Sequence, residues 1–516
     1  MKKQSLIEGT FILGLAGIIA KLLGLLFRWP LQMLIGDEGV GYYQMSFPLY
    51  MFFIAAASGI PVSVSKMVSE RKAVGDDEGA IIVLRKAIIL MFILGAGFTG
   101  LLLAFSKTII SFLKWDNKSY YSLVSIAVAP IFISIMSAFR GFFQGLQNMT
   151  CTAVSQVIEQ IGRVVVGVGL AYLLLPKGIE YSAGGAALGA AAGGIFGGTY
   201  LIIKYAHVRR EFHVGKIKDD VEVLSKLLYI AIPVSLGAAV SSIMSVIDSV
   251  LVPQKLLQAG FTYKQATILY GQLTGKAFIL INVPLTLSAA LCSSLIPIIA
   301  EAYILNRRSE VVNKVDIAIK LSMVIAIPSF LGLYNLAYPI LNLIFPGQSD
   351  GFKILQYSSI SIPFIVLAQT STAVLQGTGR YAAPVLNLAV GCVVKSVITM
   401  FLVAVPEINI YGAVLGSIGG YIIASMLNMR LLKTSLNISI KWNDHFIKPL
   451  FASILMIIAV VIIYMNVYNY TMSSRLACLL AILSGIFIYL VLIIAMGIFK
   501  YDYIKNKIVR HNKYKA

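Results

Sequence analysis

The chain has 516 residues, of which 58% are hydrophobic and only 12% are charged, and its mean hydropathy is +0.86. This composition leaves too little polar surface for a soluble globular protein and predicts an all-α, polytopic membrane protein. The formal net charge of +20 raises nucleic-acid binding as an alternative, which depends on where the basic residues lie.

Hydropathy along the chain predicts fourteen membrane-spanning helices. Their predicted bounds are 10–35, 42–69, 81–106, 119–146, 150–175, 182–205, 227–252, 268–300, 316–345, 354–377, 382–405, 411–433, 447–468 and 475–499.

The first predicted span carries two positive charges within its apolar run, Lys21 and Arg28. On a helix these two residues share a stripe with Gly24, while leucines cover the other faces. A cation deep in a bilayer costs at least about 2.5–3.5 kcal/mol, so we expect this stripe to face a hydrated cavity. The alternative is that both side chains reach the two membrane surfaces. Pro30 is expected to bend this helix.

Five further ionisable residues lie within or beside the predicted spans: Glu159, Arg163, Asp248, Lys276 and Lys395. Glu159 and Arg163 stand four residues apart on one helix and can also neutralise each other as a structural pair. We expect Asp248 to titrate or bind a coupling cation, with a polar link between helices as the alternative. Together with Lys21 and Arg28 the set is net positive, which favours an anionic substrate over a cationic drug.

We predict that Lys21, Arg28 and Lys395 bind a pyrophosphate group together, because no acid is nearby in the sequence on their own helices. Gln272 is a candidate for hydrogen bonds to a sugar. Such amides also serve as polar contacts between membrane helices.

An internal repeat divides the chain. Segment 59–70 resembles 290–301, and Arg163 corresponds to Lys395 at nearly the same spacing. Six helices per copy is an even number, so both copies have one orientation and we expect two six-helix lobes around a central cavity. The predicted regions are an N-lobe at 1–205, a basic cytoplasmic linker at 206–226, a C-lobe at 227–433, two further helices in 434–499 and a basic cytoplasmic tail at 500–516.

The basic residues follow the predicted topology. With the N-terminus inside, 29 of the 42 Lys and Arg residues fall in cytoplasmic segments and 9 in outer ones. The positive-inside rule therefore accounts for the basicity, and no nucleic-acid partner is expected. Both termini are predicted to be cytoplasmic. The linker serves as a topology anchor or attracts anionic lipid.

No metal site, cofactor or catalytic motif is expected. The cysteines are far apart, and the histidines have no ligand partners at usable spacing, so we predict solvated loop histidines. The glycine-rich segment 184–198 is typical of close helix packing rather than a phosphate loop. The four histidines are His207, His213, His445 and His511.

As a set, several motifs resemble the SpoVB/YtgP type of polysaccharide-biosynthesis membrane proteins. They lie at 36–43, 140–149, 155–160, 178–181 and 270–275, together with Arg163. The resemblance implies an exporter of the superfamily that also holds MurJ, Wzx and MATE proteins, with a V-shaped cavity and alternating access. It also implies that basic residues at the places of Lys21 and Arg28 line the cavity, and that the last two helices form a groove for a lipid tail.

Asp248 and Asn387 match parts of a sodium site that some relatives have, but Gly391 stands where a second acid is expected. The coupling force is therefore left open between Na⁺, H⁺ and the membrane potential. We predict a monomeric bacterial flippase, not an enzyme, that moves an undecaprenyl-pyrophosphate-linked saccharide for peptidoglycan or spore cortex. The alternatives are a Wzx-like exporter of another polysaccharide precursor and a MATE-like drug or cation antiporter.

The charge distribution generates a topological prediction. Segments 107–118, 253–267 and 469–474 are predicted to be outside, and 301–313 is predicted to be cytoplasmic. Cysteines introduced at Ser119, directly after the outer segment 107–118, and at Ser309 should therefore react with a membrane-impermeant maleimide from opposite sides of the membrane. Labelling of both from one side would contradict the helix count and the repeat.

Overall fold

The structure is a computed structural model, and it describes residues 6–212, 221–436 and 442–497. The predicted tail at 500–516, His213, His511 and part of the linker lie outside these residues. Within the described ranges all regular secondary structure is helical and there is no strand. The predicted all-α class is confirmed.

The chain divides into two compact units, Met1–Gly271 and Gln272–Ala516. The helices of the first unit are α1 (Leu6–Ala57), α2 (Gly59–Ala73), α3 (Asp77–Ala104), α4 (Ser106–Leu113), α5 (Tyr120–Ala127), α6 (Ala129–Gly145), α7 (Met149–Leu174), α8 (Ile179–Val208), α9 (Val221–Gln258) and α10 (Tyr263–Gly271), with short 3₁₀ turns at Asn117–Ser119, Leu175–Lys177 and Arg209–Glu211.

The helices of the second unit are α11 (Phe278–Ile304), α12 (Arg308–Asn335), α13 (Ala337–Ile344), α14 (Phe352–Ser359), α15 (Ile362–Gly377), α16 (Ala382–Leu402), α17 (Tyr411–Leu436), α18 (Lys448–Thr471) and α19 (Ser474–Ala495). Two π-helical segments, Gln272–Ala277 and Asn443–Ile447, precede α11 and α18. Within this unit α16 packs along α17 and α18 along α19.

The described residues contain 11 helical runs long and apolar enough to cross a membrane, or 12 if the bent pair α14 and α15 counts as one span. The predicted count of fourteen is not confirmed. Two of the predicted spans fall within a single run, Ile12–Ala73, and α9 is not among the helices that qualify. The chain is nevertheless a multi-pass membrane protein by the length and composition of its helices.

The dihedral break in α1 lies at Gly36, whose φ of 61° is in the left-handed region. Pro30 lies inside the helix without non-helical dihedral angles. The break at Gly36 lies where glycine tolerates the positive φ, and the bend expected at Pro30 stays a prediction.

The unit boundary at Gly271 falls after α9 and α10, which the repeat assigns to the second lobe. In the first unit α9 packs on α1 and α2, and α10 packs on α1. Lys264 of α10 forms a 3.1 Å ion pair with Glu38 of α1. The two units are defined by which helices pack together, whereas the two lobes are predicted from the sequence repeat. The lobes therefore stay a prediction.

The glycine-rich stretch of α8 packs closely against α7, as the sequence predicted. A β-carbon built on Gly193 would lie 2.6 Å from the Glu159 carbonyl oxygen, and one on Gly189 would lie 2.7 Å from the Arg163 carbonyl oxygen. Both distances are too short for a side chain unless the helices separate. Glycine therefore sets the distance between α8 and the two turns of α7 that carry these charged residues.

Two predictions about individual residues need correction. His445 is not a solvated loop residue: it is 1% exposed, and its Nε2 lies 3.0 Å from Asp316 Oδ1. The segment before α18 packs against α12, which buries the ring. Ser119 is also buried, so Lys107, which is exposed on α4, is the better labelling position. The four natural cysteines are buried, so the unsubstituted chain should not react with the maleimide and serves as the control.

Gly193→Ala should lower the free energy of unfolding by about 1–3 kcal/mol, because the added methyl group forces α8 away from α7. Gly100→Ala is the matched control. Gly100 is a helical glycine of the same unit with nothing within 4 Å of its built β-carbon, so alanine there should be neutral or stabilising. Thermal unfolding in detergent measures both, and equal melting temperatures would contradict the packing argument.

Candidate functional site

A buried ionic cluster lies on α7. Glu159 and Arg163 are each 9% exposed and stand one turn apart. Their charged groups are 4.0 Å apart, at the limit of an ion pair. The structural pair considered from the sequence therefore exists, but it is not the shortest contact of either residue.

The nearest cation to Glu159 is Arg140 of α6. Arg140 Nη2 donates to Glu159 Oε2 at 2.9 Å, and its Nε donates to the Ser155 hydroxyl at 2.8 Å. The Glu159 carboxylate thus lies against two guanidinium groups from two helices. Because one carboxylate cannot balance two such cations, the cluster retains net positive charge.

Arg163 is held from α1 as well. Its Nη2 donates to the Tyr50 hydroxyl at 2.9 Å, and its Cζ lies 5.8 Å from the centre of the Tyr50 ring. Arg163 Nε is buried and makes no hydrogen bond within the described part of the chain. An unsatisfied donor on a buried guanidinium is costly.

Arg28 lies on the first half of α1 and is half-buried. Its Cζ lies 5.7 Å from the centre of the Phe47 ring. Phe47 belongs to a row of aromatic rings, with centroid distances of 5.3 Å to Tyr43 and 5.8 Å to Tyr50. This row connects Arg28 to the ring that holds Arg163. Among the described residues, no carboxylate pairs with Arg28.

Lys21, two turns before Arg28 on α1, is exposed. The two cations of helix 1 therefore differ in environment, since only Arg28 lies against an aromatic ring. The contacts described above involve three guanidinium groups, those of Arg28, Arg140 and Arg163, but one carboxylate, that of Glu159. We call Arg28, Tyr50, Arg140, Glu159 and Arg163 the arginine cluster. Such a cluster binds an anion more readily than a cation.

The predicted cations of the second unit have separate environments. Lys276 is fully buried in the π-helical segment, and its Nζ donates to the Asp350 carbonyl oxygen at 3.1 Å. Gln272, four residues earlier in the same segment, is also buried. Lys395 of α16 is 3% exposed, where α16 packs on the glycines of α17.

The two candidates for ion coupling are both in polar surroundings. Asp248 of α9 is 2% exposed, and it lies within electrostatic range of the buried Tyr270. Asn387 of α16 donates to Asn428 Oδ1 at 2.8 Å, and Asn428 in turn donates to Thr372 at 3.1 Å. Asn387 thus takes part in a hydrogen-bonded contact between α15, α16 and α17.

The described residues contain no group of three His, Cys, Asp or Glu side chains able to hold a metal ion. The guanidinium donors of the arginine cluster suit recognition of an anion.

Arg140 and Tyr50 are not among the site residues predicted from the sequence. Arg140 lies six residues before the end of a predicted span, so it was grouped with the cytoplasmic segment, although its position inside the span was a usable signal. Tyr50 had no such signal, because the chain contains 26 tyrosines and 26 phenylalanines and only the fold selects the ring that meets Arg163.

Comparisons with known proteins identify the class and then the family. The fold matches two solved transporter structures. One is the lipid II flippase MurJ in an inward closed conformation, with a TM-score of 0.72, 16% identity, and coverage of 93% of this chain and 98% of that one. The other is an inward-facing multidrug resistance MATE family transporter, with a TM-score of 0.67, 18% identity, and coverage of 81% and 94%. The chain therefore has the fold of this superfamily of membrane transporters.

The family model described as polysaccharide biosynthesis protein matches residues 6–303. Stage V sporulation protein B of Bacillus subtilis is 30% identical over 455 residues, which is 86% of this chain and 87% of that protein. Lipid II flippase MurJ of the same organism is 27% identical over 463 residues, 85% and 84% of the two chains. The chain belongs to the polysaccharide biosynthesis protein family, and the resemblance to its SpoVB type is confirmed.

Glu159→Gln should destabilise the protein by about 3–5 kcal/mol, because it leaves the buried Arg163 and the largely buried Arg140, whose side chain is 15% exposed, without a carboxylate. Glu70→Gln is the matched control. Glu70 pairs with Lys226 at 3.1 Å, but their side chains are 44% and 58% exposed, so its loss should cost less than about 1 kcal/mol. Denaturation of both variants in detergent gives the comparison. A Glu159→Gln variant as stable as Glu70→Gln would show that the cluster is not held by this carboxylate.

Proposed function

We propose that this protein is a flippase that moves an undecaprenyl-pyrophosphate-linked saccharide from the inner to the outer leaflet of a bacterial cytoplasmic membrane. The protein works as a monomer by alternating access, with both termini in the cytoplasm, and it is not an enzyme. Support comes from family membership, from similarity to lipid II flippase MurJ and from the MurJ-like fold. The saccharide that it moves is a precursor of peptidoglycan or spore cortex, in keeping with the similarity to stage V sporulation protein B.

The observation that carries this proposal is the excess of guanidinium groups over carboxylates in the arginine cluster. Arg28 lies against an aromatic ring, with no described carboxylate as partner. Arg163 keeps one buried donor unused. A pyrophosphate supplies several negatively charged oxygens, and guanidinium forks bind such groups in a bidentate manner.

The roles within the site follow from these contacts. Arg28 binds the pyrophosphate directly, while Glu159 and Tyr50 keep Arg163 charged and oriented. Arg140 holds Glu159 in place. Lys21, on the same helix as Arg28, provides further positive charge. The roles predicted for Lys395, Gln272 and Lys276 in substrate binding stay predictions.

The alternative functions differ in whether their substrates would bind at a positively charged site. A MATE-like transporter of cationic drugs needs an anionic site, whereas the arginine cluster is positive. A Wzx-like exporter of another polysaccharide precursor uses the same pyrophosphate chemistry, so it remains the second candidate. Hydrolysis of a glycan typically uses a pair of carboxylates at the sugar. The longest predicted outer segment, 253–267, contains no carboxylate or histidine, and the predicted outer segment 107–118 contains the single carboxylate of Asp116.

Energy coupling involves Asp248 in this proposal, because a buried acid within the membrane region changes its charge when a proton or cation binds. Asn387 is the second candidate, although its amide already takes part in a contact with Asn428. Na⁺, H⁺ and the membrane potential all remain candidate driving forces.

Arg28→Ala should weaken binding of a fluorescent undecaprenyl-pyrophosphate saccharide by about 10- to 150-fold, since a charge-assisted contact contributes about 1.5–3 kcal/mol. Arg28→Lys should recover part of the loss, because it keeps the charge but not the bidentate fork. Thermophoresis of the purified protein in detergent measures the Kd.

Arg85→Ala is the matched control, because Arg85 is an exposed arginine on α3 of the same unit. It should bind the lipid as the unsubstituted protein does. Equal affinities of Arg28→Ala and Arg85→Ala would remove Arg28 from the binding site and leave the proposal without its main support.

A further inference from the structure

A polar pocket lies in the first unit where the segment joining α4 to α5 meets the start of α10. Its volume is about 320 Å³. We call it the Tyr263 pocket. Its polar and aromatic lining consists of Ser111, Lys114, Trp115, Asp116, Asn117 and Tyr263. It contains none of the arginine cluster, so it is a separate feature.

The floor of this pocket is fixed by contacts to other helices. Trp115 is 2% exposed, and its indole Nε1 donates to the Ser249 carbonyl oxygen of α9 at 2.8 Å. Asp116 accepts from the backbone N–H of Lys118 at 3.0 Å and from the Tyr42 hydroxyl at 3.4 Å. Trp115 and Asp116 are therefore already ordered, which reduces the entropy that binding to these two residues would cost.

The rim of the pocket carries polar groups that the protein itself does not use. The side chains of Ser111, Lys114, Asn117 and Tyr263 make no hydrogen bond or ion pair with any described residue. They offer a hydroxyl, an ammonium, an amide and a phenol, so both donors and acceptors are present. Tyr263 is 50% exposed and adds one flat aromatic surface.

This combination suits a neutral ligand with many hydroxyl groups. The lining holds one cation, Lys114, and one carboxylate, Asp116, so it has no excess charge for a polyanion. Its polar character excludes a lipid tail. The volume is at the small end of the roughly 300–1,000 Å³ typical of ligand sites, which suits one or two sugar rings.

We propose that the Tyr263 pocket is a saccharide subsite. Its physiological ligand rests on the proposed function: segments 107–118 and 253–267 are predicted to be outside, so the pocket receives the sugar of the lipid-linked substrate after the sugar has crossed the membrane. The arginine cluster and this pocket then recognise different parts of one substrate.

The test uses N-acetylglucosamine as the probe and the full-length protein in detergent, with saturation-transfer NMR to obtain the Kd. Asn117→Ala and Tyr263→Ala should each weaken binding by about 2- to 10-fold, the range expected for one neutral hydrogen bond. Tyr172→Ala is the matched control, because Tyr172 is an exposed tyrosine of the same unit that does not line the pocket. Thermal unfolding checks that all variants are folded.

Absence of saturation transfer to the probe in the unsubstituted protein would overturn the subsite. So would equal Kd values in the pocket variants and the control. Binding of the undecaprenyl-pyrophosphate saccharide is measured on the same samples. If the sugar binds through Asn117 and Tyr263 while the pyrophosphate lipid does not bind, the proposed function fails and the saccharide subsite stands.

Discussion

The packing of α6 and α7 in the first unit depends on one carboxylate, Glu159, that partners two guanidinium groups, the largely buried Arg140 and the buried Arg163. Glu159 lies 2.9 Å from Arg140 and 4.0 Å from Arg163, so it links α6 to the middle of α7. Removing a charge from water costs several kcal/mol unless a partner and hydrogen bonds compensate. The Tyr50 hydroxyl supplies one such bond from α1. The remaining positive charge is what makes this region suited to an anion.

Helix packing places this charge. Gly189 and Gly193 bring α8 against the carbonyl groups of Arg163 and Glu159, so α7 cannot rotate or move away without opening that contact. On its other side α7 packs along α1, which carries Arg28. The glycines of α8 and the aromatic rings of α1 thus position Arg28 and Arg163. The helix contacts that stabilise the fold therefore also place the charges of the site.

Much of this could be predicted from the sequence, and the reasons for the failures are physical. Long apolar runs predict helices, and glycine pairs among alanines predict close packing, because both properties are local. The partner of Glu159 was not predictable from spacing, since Arg140 comes from another helix. The count of fourteen spans is not confirmed, because two predicted spans fall within one helical run that continues across the kink at Gly36. His445 was misjudged because its burial comes from α12, which is distant in sequence.

The most direct test of the central claim, that the positive cluster serves a pyrophosphate-linked saccharide, is native mass spectrometry of the purified protein. It would be mixed with equal amounts of an undecaprenyl-pyrophosphate saccharide and of the same lipid and sugar joined by a monophosphate. The account predicts preferential retention of the pyrophosphate lipid, because its additional charged oxygens engage the guanidinium groups. Equal retention of both lipids, or retention of neither, would contradict it.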